Sequence, residues 1–154
     1  MSDPDTIDID FGKIIPSTIQ EQISIASDRG GQNWRANSEK IIYSVPCAIV
    51  GFKREEDKDI HVIVEDTSTE ETLVIEIISA ECLSVQKTSR HLLFKNLEEW
   101  FVKNIGRPTS RFTFLQKHIN VLVTGVGFFD FCHGQKGMAE NCREIHPVLS
   151  IQLL

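Results

Sequence analysis

Two short segments, far apart along the chain, contain the residue types that could do chemistry. In the first, Asp57, Asp59 and His61 alternate, so that their side chains can share one face of a strand. The second surrounds a glycine-containing loop, and its polar residues are Asp130, His133, Gln135, Asn141, Glu144 and His146. Histidine beside carboxylates is typical of a divalent-metal site or of a general acid–base pair.

This cluster of polar residues has three alternative interpretations. The carboxylates can hold the imidazoles of neighbouring strands in a buried hydrogen-bond network, which would be purely structural. The same side chains can form a ligand-binding rim. The third alternative is a metal or catalytic site, in which a metal ion would activate a bound water. The side chains best suited as its ligands are Asp59, His61, Glu144 and His146.

The four cysteines, Cys47, Cys82, Cys132 and Cys142, include no CxxC pair, so that buried thiols are the simplest prediction. Cys132 and Cys142 bracket the glycine-containing loop and can join in an oxidising compartment. A zinc quartet of these two cysteines with His133 and His146 is disfavoured, because adjacent residues at 132 and 133 fit tetrahedral geometry poorly.

The spacing of hydrophobic residues predicts the strands and the helix that must position the cluster. Strand-like segments are predicted at 41–53, 60–66, 72–78, 120–131 and 144–154. Between the third and fourth segments, apolar residues recur at helical spacing, and Gly106 and Pro108 end that helix before a linker over 107–118. This order predicts an all-β fold with one helix, an OB-like five-stranded Greek-key barrel. In that fold the loops after the first and fourth strands flank the usual ligand face.

The length of 154 residues predicts one domain. We expect a flexible acidic arm over residues 1–20 and a lead-in segment over 21–39. The lead-in would contain a short strand around Ile23 and Ile25 and a turn over residues 28–33. The OB-like barrel domain would then occupy residues 40–154.

Composition and charge limit the classes of partner that the sequence predicts. A net charge of −6 disfavours nucleic acid, so a small ligand, a glycan or a protein partner is ranked above it. If nucleic acid did bind, Arg107, Arg111 and Lys117 would meet phosphates and a phenylalanine would stack on a base. No apolar run reaches the length of a membrane span, so no membrane association is expected. Residues 1–20 lack a signal peptide, which predicts a cytoplasmic protein, or an exported one if the N-terminus was trimmed.

The two polar segments together resemble a family of small, mostly bacterial proteins to which no function is assigned. The resemblance rests on the run DKDIHVIVED from Asp57 and on VTGVGFFDF from Val123, which continues through His133-Gly134-Gln135 to His146-Pro147-Val148-Leu149. It covers residues 40 to 151, with Glu140 standing where the family usually has proline. The resemblance implies a shared signature, but no activity, for Asp59, His61, His133, Asn141, Glu144 and His146.

The sequence therefore predicts a non-catalytic OB-like binding module that holds a ligand or protein partner at the rim between the two loops. The first alternative is a metal-dependent hydrolase that uses the His/Asp/Glu cluster. The second is a single-stranded nucleic-acid-binding protein. No cofactor is expected beyond a divalent metal in the hydrolase alternative. The oligomeric state stays open.

Overall fold

The computed structural model describes residues 8–27 and 35–154. Its strands are β1 (Ile14–Pro16), β2 (Ile42–Arg54), β3 (Ile60–Glu65), β4 (Thr72–Ile77), β5 (Thr113–Phe129) and β6 (Arg143–Leu153). Its helices are α1 (Ile19–Ser24), α2 (Leu83–Gln86) and α3 (His91–Asn104), with a 3-10 turn at Asn37–Lys40. The protein is therefore mostly β, with a six-stranded sheet and few helices.

The sheet has the strand order β1-β2-β3-β4-β6-β5, and β2 also pairs with β5. The β1–β2 and β4–β6 pairs are parallel, and the others are antiparallel. His61 of β3 lies opposite Glu76 of β4, and Ile75 of β4 is paired with Ile145 of β6. This register brings residues 61, 76 and 146 of three adjacent strands to neighbouring positions.

The main hydrophobic core takes alternate residues of these strands. On β3 it buries Ile60, Val62 and Val64, and on β4 it buries Leu73, Ile75 and Ile77. Because side chains alternate along a strand, His61 and Glu76 project from the opposite face of the sheet. The polar cluster is thus placed on the reverse of the core, where the segment between β5 and β6 passes over it.

The predicted helix between the third and fourth strand segments is present as α3. Its buried residues are Phe94, Leu97 and Phe101, and the Phe101 ring meets the ring of Phe52 on β2 edge-on, with centroids 5.2 Å apart. Aromatic pairs favour this T-shaped contact. None of the helices within residues 8–27 and 35–154 has the length and apolar character that a membrane span requires.

The N-terminal part of the chain differs from the expectation of a flexible arm and a short strand. Ile14–Pro16 pairs with β2, and Ile23 lies in a helix, α1, rather than in a strand. A capping box begins this helix: Thr18 Oγ1 accepts from Glu21 N at 3.1 Å, and Glu21 Oε2 accepts from Thr18 N at 2.9 Å. The Thr-x-x-Glu spacing is the sequence signal that would have predicted α1. The predicted turn at 28–33 lies outside the described residues.

The single-helix prediction and the linker prediction also need correction. Two short helices, α1 and α2, accompany α3. β5 begins at Thr113 rather than near residue 120, so half of the predicted linker is strand. The segment forms a strand because it pairs with β2. Phe114 lies opposite Gly51, just beyond a register shift in this pairing. The segment 113–118 is largely exposed and lacks the apolar alternation that marks a strand.

The cysteines divide into one disulfide, between Cys132 and Cys142, and two free thiols. Burial, together with the charge of Asp66, raises the pKa of the Cys47 thiol to about 12. A hydrogen bond with Ser84 lowers the pKa of the half-buried Cys82 thiol. Because the thiolate is the nucleophile, Cys82 should react with electrophiles far faster than Cys47.

We therefore expect native, unreduced protein to incorporate one equivalent of iodoacetamide rapidly, at Cys82. The rate should rise with pH through a midpoint below the usual thiol pKa, and Ser84→Ala should move that midpoint upward. Mass spectrometry after timed quenching measures both. Cys82→Ser is the control, since it should abolish the rapid phase. Rapid labelling at Cys47 in folded protein would contradict the assignment.

Candidate functional site

An open cavity of about 800 Å³ lies between the β2–β3 turn and the β5–β6 loop. We call it the acidic cavity, because six carboxylate side chains are among its lining residues. The lining consists of Lys53, Arg54, Glu55, Glu56, Asp57, Glu76, Ser110, Phe128, Asp130, His133, Gln135, Glu144 and His146. A cavity of this size is in the range of small-molecule sites.

Glu76 joins the two histidines at the floor of the acidic cavity. Its Oε1 lies 3.4 Å from His61 Nδ1, and its Oε2 lies 3.4 Å from His146 Nδ1. His146 Nδ1 is also 3.0 Å from Glu144 Oε1, within hydrogen-bond distance. One carboxylate on the central strand of the three thus contacts an imidazole on each neighbouring strand.

Contacts among these groups shift their pKa values in the direction opposite to the shift that burial causes. Burial lowers the pKa of a histidine, but contact with Glu76 and with the Lys136 carbonyl leaves the pKa of His61 raised. The pKa of His146 is likewise raised, because Glu144 and Glu76 outweigh burial. For Glu76, burial raises the pKa, and His61 and His146 lower it to a net value below the ordinary one. The floor therefore favours charged imidazoles around an ionised Glu76.

Two other buried carboxyl groups near Glu76, those of Asp59 and Glu144, have raised pKa values instead. Burial raises the pKa of Asp59 to about 6, although a hydrogen bond from Ser79 N to its Oδ1, 2.7 Å long, opposes the shift. Burial also raises the pKa of Glu144 despite its contact with His146. Ionising both groups beside Glu76 costs free energy, since like charges then crowd a poorly solvated place.

The β5–β6 loop covers His61 completely. The imidazole is fully buried, its Nε2 donates to the Lys136 carbonyl at 3.1 Å, and the ring of Phe112 packs against it edge-on. The Cys132–Cys142 disulfide closes the loop, and Asp130 N donates to Cys142 O at 3.0 Å. The loop is thus tied at its base. This holds the Lys136 carbonyl in the position where it accepts the hydrogen bond from His61 Nε2.

Most of the residues predicted for the site do meet there. Those that line the acidic cavity are Asp57, Asp130, His133, Gln135, Glu144 and His146. Asp59 and His61 lie beneath this lining, where their donor atoms are near Glu76 or His146. Within the lining, His133 Nε2 is 3.3 Å from Asp130 Oδ2.

Asn141 is the exception, because it is not among the residues that line the acidic cavity. Its Nδ2 donates to the carbonyls of Gln22 and Ile25, both at 3.0 Å, and its Oδ1 accepts from Arg143 N. These bonds tie α1 to the start of β6 and satisfy carbonyls at the end of the helix. Asn141 therefore has a structural role, tying α1 to β6 outside the lining of the acidic cavity.

The sequence-based set omitted Glu76, which is the centre of the cluster. Glu76 is the only charged residue of β4, whose other residues are apolar or threonine. A carboxylate in such a strand is the signal that would have found it, because charged groups are seldom buried without a partner. Glu55, Lys53 and Phe128 were also missed and line the same cavity.

The metal ligands predicted from sequence change accordingly. Donor atoms of Asp59, Glu76 and His146 all lie within 4.8 Å of one another, so Glu76 takes the place expected for His61 and Glu144. Among the described residues this is the group suited to hold a metal ion. The zinc quartet is excluded in this structure, because Cys132 and Cys142 are bonded to each other.

No protein-family model matches the chain, and no curated protein is significantly similar to it. The residues of the acidic cavity are therefore the basis on which a function is proposed below.

Proposed function

We propose that this protein is a binding module with an OB-like barrel, and that it binds a small cationic ligand in the acidic cavity. The strand pairing supports the barrel, since β2 pairs with both β3 and β5 and hydrogen bonding can pass from strand to strand around β2 to β6. α3 lies between the third and fourth of these five strands. The β2–β3 turn and the β5–β6 loop flank the cavity, as the ligand loops of such barrels do.

The charge of the residues that line the cavity is the main reason for proposing a cationic ligand. Six carboxylates line the cavity against two permanent cations, and both cations are engaged by carboxylates. Lys53 Nζ is 3.0 Å from Glu55 Oε1, and Arg54 Nη2 is 2.8 Å from Glu98 Oε1. A concave site lined by one sign of charge concentrates ions of the other sign.

The aromatic ring at the cavity wall also suits a cation. Phe128 lines the cavity and its ring lies 5.4 Å from the His146 ring, centroid to centroid. The face of an aromatic ring attracts ammonium groups, and this attraction grows where water is displaced. The guanidinium carbon of Arg35 already lies 5.4 Å from the centroid of the Phe128 ring, so an amine would meet the carboxylates and pack its short apolar stem against the part of the ring that Arg35 leaves uncovered.

The resemblance to the small bacterial family supports the same place. Of the residues in the implied signature, His133, Glu144 and His146 line the cavity, and Asp59 and His61 lie under it. We propose that the chain shares this site with that family. Asn141 would then contribute to the signature by holding α1 against β6.

The nucleic-acid alternative has less support. Arg107, Arg111 and Lys117, the candidates for phosphate contacts, are exposed but are not among the residues lining the acidic cavity. Phosphates entering the cavity would be repelled by its carboxylates. Binding to single strands would need a separate surface.

Titration with spermidine tests the proposal. In a ¹⁵N-labelled sample, spermidine should shift the backbone amides of residues 55–57 and 130–136. The double variant Glu56→Gln/Asp57→Asn removes two exposed lining charges and should weaken binding roughly three- to tenfold. The charge-matched control is Glu70→Gln/Glu99→Gln, whose exposed side chains lie outside the cavity lining.

The control should bind spermidine as the unmodified protein does. Equal weakening in both double variants would mean that net charge alone attracts the amine. An unchanged spectrum at millimolar spermidine would overturn the cationic-ligand proposal.

A further inference from the structure

The floor of the acidic cavity has the donors and spacing of a divalent-metal site. We propose that Asp59, Glu76 and His146 bind one divalent transition-metal ion, with Zn²⁺ and Mn²⁺ as the best-suited ions. The inference rests on the proposed function, because it names a ligand of the same cavity. A metal here is also what the hydrolase alternative would require, since a bound water could then face the open cavity.

The first argument is the geometry of the donors. Glu76 Oε2 and His146 Nδ1 lie 3.4 Å apart. Two ligands about 2.0–2.1 Å from one zinc ion at the tetrahedral angle are about 3.3–3.4 Å apart. Donor atoms of Asp59, Glu76 and His146 all lie within 4.8 Å of one another, so a rotation of the Asp59 side chain would complete a three-ligand set. Three protein ligands with an open fourth position are typical of accessible zinc sites.

The second argument is a buried polar atom that points at this group. His61 is fully buried, and its Nδ1 makes no hydrogen bond within the described residues. Its nearest oxygens are Glu76 Oε1 at 3.4 Å and Glu55 Oε1 at 3.5 Å. With Glu76 Oε2 on a metal, Oε1 would be held by His61 from behind. Such a partner of a ligand carboxylate orients it toward the ion.

The third argument is the charge gathered at one place. Asp59, Glu76 and Glu144 are all buried, with at most 8% of any of them exposed. Glu144 Oε1 is 3.0 Å from His146 Nδ1 and can serve as a fourth donor or hold a metal-bound water. A dication would compensate carboxylates that otherwise repel one another in a poorly solvated place.

The donor chemistry selects among ions. One imidazole nitrogen with two or three carboxylate oxygens suits Zn²⁺ and Mn²⁺, which accept both donor types. Mg²⁺ prefers six oxygens, several of them from water, and should bind weakly. Zn²⁺ should therefore exceed Mg²⁺ in affinity by at least a hundredfold.

Calorimetric titration of the full chain, first freed of metal with EDTA, tests the inference. ZnCl₂ at pH 7.5 should bind with a stoichiometry of one and raise the melting temperature by roughly 5 °C at saturation. Glu76→Gln and Asp59→Asn should each weaken Zn²⁺ binding tenfold or more. Glu99→Gln, which removes an exposed carboxylate outside the cavity lining, should change it less than threefold. His133→Ala serves as a second control against binding at the exposed His133–Asp130 pair.

A second measurement does not depend on the variants folding. A crystal of the unmodified protein soaked in ZnCl₂ should show an anomalous peak within about 2.3 Å of Glu76 Oε2 and His146 Nδ1. A peak elsewhere, or equal loss of binding in Glu99→Gln and Glu76→Gln, would overturn the site. Spermidine binding without zinc binding would sink this inference and leave the proposed function standing. Zinc binding without spermidine binding would support the metal site and would contradict the proposal that the cavity binds a cationic amine.

Discussion

Replacing Gly125 by alanine should reduce the free energy of unfolding by roughly 3 kcal/mol or more, because the new methyl group has no room. A Cβ at this position would lie 2.4 Å from Ile145 Cγ2, 2.6 Å from Pro147 O and 3.0 Å from Val148 Cα. Two of these three atoms belong to the backbone of β6, so that relief requires the strands to separate. Gly125 lies opposite Val148 where the β5–β6 register shifts.

Urea unfolding followed by far-UV circular dichroism measures the effect of Gly125→Ala. A loss of this size corresponds to a melting temperature lower by roughly 6–12 °C in a domain of this length. Gly12→Ala is the control: its Cβ would meet only Asp10 Oδ1, at 3.3 Å, and the midpoint should stay near that of the unmodified protein. If Gly125→Ala unfolds at the same urea concentration as Gly12→Ala, β6 does not lie as close to β5 as the structure has it.

Exchanging Arg143 for methionine should cost about 3 kcal/mol of stability. Arg143 is fully buried; its Nε donates to Gln22 Oε1 at 3.1 Å and its Nη2 donates to Ser38 O at 2.9 Å. Its guanidinium carbon also lies 4.6 Å from the centroid of the Phe129 ring. Methionine would fill much of the space but would remove the donors to the buried Gln22 Oε1 and the part-buried Ser38 O, each loss costing about 1–3 kcal/mol.

Thermal and urea unfolding of Arg143→Met, beside Arg111→Met, measure this cost. Arg111 is exposed, and its substitution should change stability by less than about 0.5 kcal/mol. Arg143→Lys should fall between the two, because lysine keeps the charge but not the planar set of donors. A stable Arg143→Met protein with unchanged amide shifts in α1 would show that Gln22 finds another donor.

The Arg143 prediction bears on the acidic cavity because Arg143 begins β6. The next residues of that strand include Glu144 and His146, both part of the cavity lining. Gln22 of α1 and Ser38 of the 3-10 turn accept hydrogen bonds from the Arg143 guanidinium. We therefore expect Arg143→Met to weaken zinc binding as well as stability, whereas Arg111→Met should leave both unchanged.

Much of this architecture could be predicted from local patterns. Alternating apolar residues located β3, β4 and β6 to within one or two residues, and the 3.6-residue period located α3. The grouping of His61 with Glu144 and His146 followed from an expected strand order, and the structure brings both imidazoles to Glu76 and Glu144 to His146. These features depend on periods within a segment, or on the sequence of segments, and both are visible in a single chain.

Other features depend on which residues meet across strands, and the tertiary structure alone decided those. Glu76 is central because the β3–β4 register sets it opposite His61 and because β6 lies parallel to β4. Asn141 does not line the cavity, because α1 packs beside it and its Nδ2 donates to the carbonyls of Gln22 and Ile25. A shift of one residue in register exchanges the two faces of a strand, and nothing within Thr72–Ile77 itself specifies its partners. The sequence thus determined the strands and the chemistry they carry, whereas the pairing between strands determined which of those groups form the cavity floor.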